Sequence, residues 1–422
     1  MIKQLLFQYR NNQLFKQAFG LYTVNIISIP LSIISSVIIT RFLGPSSYGD
    51  FKFLFNVFNL AIVIFSFGLF QAGNRALVLN KDSQKAKEIY GVELLVVLVL
   101  FVGMSLFLLG YAFFDKNINE KGLHNLLIYL IPFSWVFLLV QYFEVLFQAD
   151  NKIKLLAYSR LYPKLAFFLS VLLIYLFFFN YSGNKIVMVW AAFFVTQIIV
   201  FLYIIYKINP SFRNLKTRIS EILLFNRTYG FHVYIGSVFS IGFSQLTGVL
   251  ISYFANNNKG VGYYALAMTI AGPLSFIPNV IATTHYKDFA DRTSIPRKLI
   301  LITISISFSA LVFILIIVGP FISLFYGHKF AEVTSLTYIV SFGVILSGLA
   351  DFLNRFLGSH GKGKALRNSS IIVGISLLIL NVLLIPLFGE TGAAYTSLLS
   401  GLIYFLCMFW FYKRLVTELK NR

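Results

Sequence analysis

Negative charge is scarce in this chain of 422 residues: 15 Asp and Glu stand against 35 Lys and Arg. All charged residues together make up only 12% of it, and hydrophobic residues 58%. Soluble domains carry about a quarter charged residues, so this composition excludes an ordinary soluble globular fold. A single cysteine, Cys407, excludes an internal disulfide, and its place in an apolar run marks a packing thiol. That one Cys and five scattered His offer no metal-ligand spacing, and no cofactor is expected. Long polar stretches are also missing, so no extramembrane domain is expected and any chemistry must take place among helices. The first residues, MIKQLLFQYRNNQLFKQ, lack the small-residue cleavage site of a signal peptide. Ile2, Leu5, Leu6 and Tyr9 there suit a short helix lying on the inner leaflet.

What the chain does have is apolar runs of about 20 residues, each long enough to cross a bilayer. Twelve are expected, near 21–43, 51–73, 89–114, 123–147, 155–179, 186–206, 229–254, 261–284, 299–318, 334–357, 366–388 and 392–412. The gaps between them alternate between basic and nearly bare. The amino-terminal stretch, the gaps after even-numbered runs and the tail hold 27 of the 35 Lys and Arg. The opposite gaps hold 7: Arg41, Lys52, Lys116, Lys121, Lys185, Lys259 and Lys329. The positive-inside rule then puts both termini in the cytoplasm. In a soluble protein the net charge of +20 would suggest nucleic acid. Here it marks the membrane face beside anionic lipid, and no nucleic-acid partner is expected.

The expected fold is an all-α polytopic membrane protein with two six-helix bundles, 1–206 and 229–422. Between them, 207–228 is a cytoplasmic amphipathic linker. Phe212, Leu215, Ile219, Ile222 and Leu223 fall on one helical face after Pro210. The halves read as tandem copies. RFLGPSSYGDFKFLF from Arg41 aligns with FANNNKGVGYYALAM from Phe254, matching Gly49 to Gly262. NKIK from Asn151 aligns with GKGK from Gly361. Six crossings per copy is an even number, so both copies enter in the same orientation. The repeat axis is a pseudo-twofold along the membrane normal, with a cavity expected between the bundles.

Three stretches carry a resemblance: RFLGPSSYGDF from Arg41, FEVLFQADNKIKLLAYSR from Phe143 and GVGYYALAMTIAGPLSFIP from Gly260. They resemble the Wzx-type polysaccharide repeat-unit flippases of the multidrug/oligosaccharidyl-lipid/polysaccharide exporter superfamily. The likeness runs from about residue 17 to 413. It implies a bacterial inner-membrane protein working by alternating access around a V-shaped cavity. The implied cargo is an undecaprenyl-pyrophosphate-linked oligosaccharide, flipped outward for O-antigen, capsule or related glycan assembly. Polymerase and chain-length proteins of the same pathway would be partners, beside membrane lipids.

Such a cargo sets physical demands. Sugar hydroxyls cannot cross hydrocarbon unpaired, and a pyrophosphate needs cations and donors. Lys164, following Pro163, is the one basic residue deep inside a run, roughly 14 Å of helix rise from Leu155. Arg160 lies four residues earlier on the same face, and the two together can hold a pyrophosphate, Arg160 by its fork. The plainer alternative pairs Lys164 with Glu144 and makes Arg160 a cytoplasmic anchor. Arg41, near Asp50 and Lys52, is a rim salt bridge or a substrate contact. Arg75 is a topology anchor or a cavity cation. Glu144, aligned with Gln141 and Gln148, is a structural partner or a coupling group. Asp351 and Arg355 have the spacing of a helical ion pair, with gating or proton coupling as the sharper reading. His232 and His285 read as ordinary hydrogen-bonded histidines. Pro30 is a candidate hinge. Asn25, Ser28, Ser32, Ser35 and Ser36 give the first span a polar face, and Ser237, Ser240, Ser244, Gln245 and Thr247 give one to the seventh. Each face lines the cavity or glues helices together.

No catalytic residue is assigned, and a transporter rather than an enzyme is expected. A small-molecule exporter or a peptidoglycan-precursor flippase of the same superfamily stands as the alternative. A glycan polymerase or glycosyltransferase would need a sizeable external loop bearing catalytic groups. The external acids are few, among them Asp115, Glu120, Glu332 and Glu390.

Overall fold

The computed structural model describes residues 13–80 and 82–420. Lys81 and the amino-terminal helix expected around Ile2, Leu5, Leu6 and Tyr9 lie outside the described residues. Among those described, all regular structure is helical. Bilayer hydrocarbon offers no partner to backbone N–H and C=O, and a helix satisfies them internally.

Eight helices are long and apolar enough to cross a membrane, and a ninth crossing is a pair bent by 45°, His124–Phe133 with Trp135–Ala149. Two of the eight are double. Helix α1 (Gln13–Phe65) breaks at Gly44, and Gly363–Lys420 breaks at Gly389. Both glycines have positive φ, 75° and 58°, a conformation strained for any residue with a Cβ. Phe231–Phe254, interrupted by a π turn at Val238–Gly242, supplies the last crossing. The described helices thus give the twelve crossings expected. Helix α1 stays helical through Pro30 and departs from helical angles at Gly44 instead.

The chain forms two compact units: the described residues of Met1–Phe42 with Phe58–Ile235, and Leu43–Val57 with Gly236–Arg422. The first contains α2 (Leu69–Leu79), α3 (Ser83–Phe114), α4 (His124–Leu130), α5 (Trp135–Ala149), α6 (Ile153–Phe178), α7 (Lys185–Ile208) and α8 (Leu215–Phe225). Its core is aromatic. Phe58 stacks on Phe137 at 5.2 Å, and Trp190 on Phe194 at 5.4 Å. Large rings fill space between helices with few rotatable bonds.

The linker helix α8 is amphipathic, but its apolar face is divided. Ile222 is buried with Ala72 and Val92, and Leu215 packs beside them. Phe212, Ile219 and Leu223 are exposed. Charged contacts decide the division. Arg218 holds Glu88 at 2.9 Å and Glu221 at 2.5 Å, with the Arg218 and Glu88 side chains 13% and 5% exposed. Asn214 donates to Glu88 at 2.9 Å, Asn80 donates to Glu221 at 2.9 Å, and the Ser211 N–H donates to the Lys87 carbonyl at 2.9 Å. The linker is therefore fastened to the start of α3.

The second unit contains α9 (Phe231–Ser237) in part, α10 (Phe243–Phe254), α11 (Lys259–Ala271), α12 (Pro273–Thr284), α13 (Arg297–Phe321), α14 (Glu332–Ser359) and α15 (Gly363–Lys420). Small residues bring α14 against α15: Gly343 meets the Ser397 carbonyl, and Gly401 meets that of Gly343. The repeat-equivalent turns also meet within this unit. Gly262 lies against Gly49, and Asn258 donates to Asp50 at 2.8 Å.

Candidate functional site: charged groups within the spans

In the first unit, α5 and α6 bring Glu144 and Arg160 together. Arg160 Nε donates to Glu144 Oε2 at 2.9 Å, and Nη2 donates to Oε1. Gln148 is the third donor to this carboxylate, bonding Oε1 at 2.7 Å. Two sequence expectations change. Arg160 is not a bare anchor, and its fork, expected to grip pyrophosphate jointly with Lys164, is spent on Glu144. Lys164 is not the partner of Glu144 either. It follows buried Pro163 on α6 and is exposed, without a hydrogen bond or ion pair among the described residues. The Arg160–Glu144 pair is neutral, so Lys164 supplies the net positive charge of this face.

Arg75 is exposed on α2, its guanidinium 6.0 Å from the centre of the Tyr229 ring. Arg41 is exposed one turn before Gly44. In the second unit, Lys52 lies 5.5 Å from the centre of the Tyr48 ring and 5.9 Å from that of Phe51. Aromatic faces attract cations.

The helical ion pair expected between Asp351 and Arg355 is absent. Tyr404 donates to Asp351 at 2.8 Å and accepts from Asn354 at 3.0 Å, leaving Arg355 exposed. A tyrosine on α15 reaches the carboxylate where an arginine one turn along does not. The polar stripes are satisfied only in part, and the buried Ser28 hydroxyl has no partner among the described residues. Ser35 donates to the Leu31 carbonyl at 2.7 Å, Thr40 to that of Ser36 at 2.8 Å, and Asn381 to Thr247 at 2.8 Å. The Asn381–Thr247 bond joins two helices, and the serine and threonine bonds stay within one. The Ser240 side chain lies outside the described residues. His285 Nδ1 is 2.9 Å from the Ile281 carbonyl, the ordinary role expected of it. Among the described residues, no group of three or more His, Cys, Asp or Glu is placed to hold a metal ion.

Sequence reading passed over three groups. Glu93 on α3 is fully buried, and neither carboxylate oxygen has a hydrogen-bond partner among the described residues. Glu88 is the centre of the linker network described above. Its hydrogen bond to Arg218, with that of Glu221, raises the guanidinium pKa above its ordinary value. At the NKIK turn, Asp150 accepts from Tyr90 at 2.8 Å and pairs with Lys152 at 2.8 Å. The signal for Glu93 was present in GVELLVV: a carboxylate five residues inside an apolar run needs an explanation.

Residues 14–286 match the family described as polysaccharide biosynthesis protein. The chain is 24% identical over 410 residues to the capsular polysaccharide biosynthesis protein CapF of Staphylococcus aureus, covering 94% of this chain and 98% of that one. Among solved structures, it superposes on the lipid II flippase MurJ with a TM-score of 0.71 at 16% identity, over 94% of this chain and 89% of that one. An inward-facing transporter of the multidrug resistance MATE family gives a TM-score of 0.68 at 15% identity, over 96% and 99%.

Proposed function

We infer that this chain, which belongs to the polysaccharide biosynthesis protein family, is a multi-pass membrane flippase that carries a lipid-linked oligosaccharide across the bilayer. The observation that carries the reading is its kinship with a capsular polysaccharide biosynthesis protein over almost the full length of both. The fold it shares with a lipid II flippase supports the same class of cargo, a lipid whose polar head must cross while its tail stays in hydrocarbon. It is a transporter, not an enzyme.

The protein sits in the bacterial inner membrane with both termini in the cytoplasm. The two compact units, the first including 207–228, move as bodies. The cargo is an undecaprenyl-pyrophosphate-linked repeat unit, released for assembly of capsule or a related glycan by polymerase and chain-length partners. Lys164 makes the first electrostatic contact with the pyrophosphate, because its charge is the one that Glu144 does not neutralise. Arg41 and Arg75 present further cations along the path. An inside-negative potential assists outward movement of the anionic head by roughly 2.3 kcal/mol per charge per 100 mV.

Reconstituted protein tests the reading. Liposomes loaded with a fluorescent lipid-linked oligosaccharide should expose it to an external quencher or glycosidase faster with the protein than without. Equal rates would overturn the flippase reading. Faster exposure of lipid II than of the oligosaccharide would favour a peptidoglycan precursor as cargo.

A further inference from the structure

We propose that Glu93 is the proton-binding site through which a proton gradient drives this transporter, a proposal that rests on the flippase reading above. Glu93 lies on α3 five residues past Glu88, roughly 7.5 Å along the helix from the linker network. It is 0% exposed, and both carboxylate oxygens lack a hydrogen-bond partner. It enters no salt bridge among the described residues. Its carboxylate rests directly on α2, where a Cβ at Gly73 would run into Oε1. Glycine at 73 is what makes room for the acid.

Among the described residues, the ionisable groups on the elements packed against it are held by other partners or lie away from it toward the helix ends. From α5, the Tyr142 hydroxyl donates to the Tyr90 carbonyl at 3.1 Å, and Glu144 is held by Arg160. From α2, Arg75 is exposed beside Tyr229. From α8, Arg218 is bound to Glu88 and Glu221. From α4, His124 Nδ1 is 2.9 Å from the Ala112 carbonyl at the other end of α3. Asp115, Lys116 and Glu120 are at that end too. On α3 itself, Lys85, Lys87 and Glu88 sit where the helix begins.

A carboxylate ion without a donor or cation is strongly disfavoured in such a site, and the neutral acid far less so. Glu93 therefore holds a proton in this conformation. Releasing it leaves a carboxylate that must find water or a cation, and the contact with Gly73 cannot persist. The flanking residues carry the consequence outward. Ala72 and Val92, next to Gly73 and Glu93, are the residues that bury Ile222 of the linker helix. Separation of α2 from α3 at Glu93 loosens the seat of α8. Proton loss to water and linker release are thus one event, and proton uptake from water restores the packed state. In exchange for outward cargo, the proton travels inward and leaves on the Glu88 side.

The test uses the full chain in liposomes, with substrate flipping followed under an imposed proton gradient. The wild type should be accelerated by the gradient. Glu93→Gln keeps the neutral shape and should insert, bind substrate and lose the gradient acceleration by tenfold or more. Glu93→Asp should keep gradient dependence with a displaced pH profile. An infrared spectrum of the wild type should carry a protonated-carboxyl stretch that Glu93→Gln removes, whether or not cargo is present. Wild-type gradient dependence in Glu93→Gln, drive by a sodium gradient alone, or no such infrared band would each overturn the proposal. Should Glu93→Gln fail to insert, an unchanged pH profile in Glu93→Asp overturns it. If the wild type flips no oligosaccharide, the flippase reading falls, and the infrared band still decides whether Glu93 holds a proton.

Discussion

Arg160 grips Glu144 with two guanidinium nitrogens, and Lys164, one turn further along α6, is left with its charge unshared. The two cations on one helix face therefore have separable roles. Lys164→Ala should insert and fold like the wild type yet abolish surface glycan, because it removes charge without stranding a carboxylate. Lys164→Arg should keep part of the activity, and Lys164→Glu none, since it would repel pyrophosphate. Normal surface glycan from well-expressed Lys164→Ala would end the contact hypothesis.

Arg160→Ala should behave differently. It leaves Glu144 with only Gln148 as donor and should lower stability by roughly 1.5–3 kcal/mol, the range for hydrogen bonds to a charged group. Adding Glu144→Gln should recover most of the loss by removing the stranded charge. Thermal unfolding in detergent measures both. A double variant as unstable as the single one would contradict the pairing.

Arg218 does for the linker what Arg160 does for α6. Arg218→Ala strips Glu88 of its cation and should lower the Tm by at least about 2 °C. Limited proteolysis should then cut within 207–228 faster than in the wild type. Glu88→Gln in the same background should slow the cutting again. Unchanged proteolysis in Arg218→Ala would mean that α8 is held by Ile222 and Leu215 alone.

These pairings also mark the limit of what the sequence discloses. The crossings were legible because apolar length and alternating charge are both one-dimensional signals. Lys164 stood out for the same reason, as a lone cation inside an apolar run. Its neighbour Arg160 reaches a carboxylate 16 residues away on another helix, and no helical spacing encodes that distance. Asp351 and Arg355 had the spacing of an ion pair, but a helix neighbour is only one competitor, and Tyr404 on α15 was better placed. Glu93 was visible as one acid among Val and Leu, but that no donor or cation reaches it depends on α2, α5 and α8, which no one-dimensional pattern discloses.

Tyr404 is the only hydroxyl that donates to Asp351 among the described hydrogen bonds. Tyr404→Phe should therefore cost about 1–3 kcal/mol, the penalty for leaving a buried acceptor unsatisfied. Asp351→Asn keeps an acceptor for the same hydroxyl and should be milder in thermal unfolding. Equal stability of Tyr404→Phe and the wild type would show that Asp351 is satisfied by water.

Orientation can be read by cysteine labelling after Cys407→Ala removes the one native thiol. The external loops suggest Asn117, Asn184 and Asn257 as positions, but Asn117 is on the buried side of the short helix Lys116–Glu120, and a thiol there would be shielded on either face. Glu120, Asn184 and Asn257 are exposed and serve better. On the opposite face, Asn214 is committed to Glu88, so exposed Arg213 is the safer position. With the basic gaps in the cytoplasm, Glu120→Cys, Asn184→Cys and Asn257→Cys should react with an impermeant maleimide added to intact cells. Arg213→Cys should react only after the membrane is opened. Glu120, Asn184 and Arg213 sample both faces of the first unit, and Asn257 samples the outer face of the second. Labelling of Arg213→Cys from outside would invert the topology. Lys164 and Glu93 would then lie toward the wrong side of the bilayer for capturing a cytoplasmic anion and delivering a proton inward.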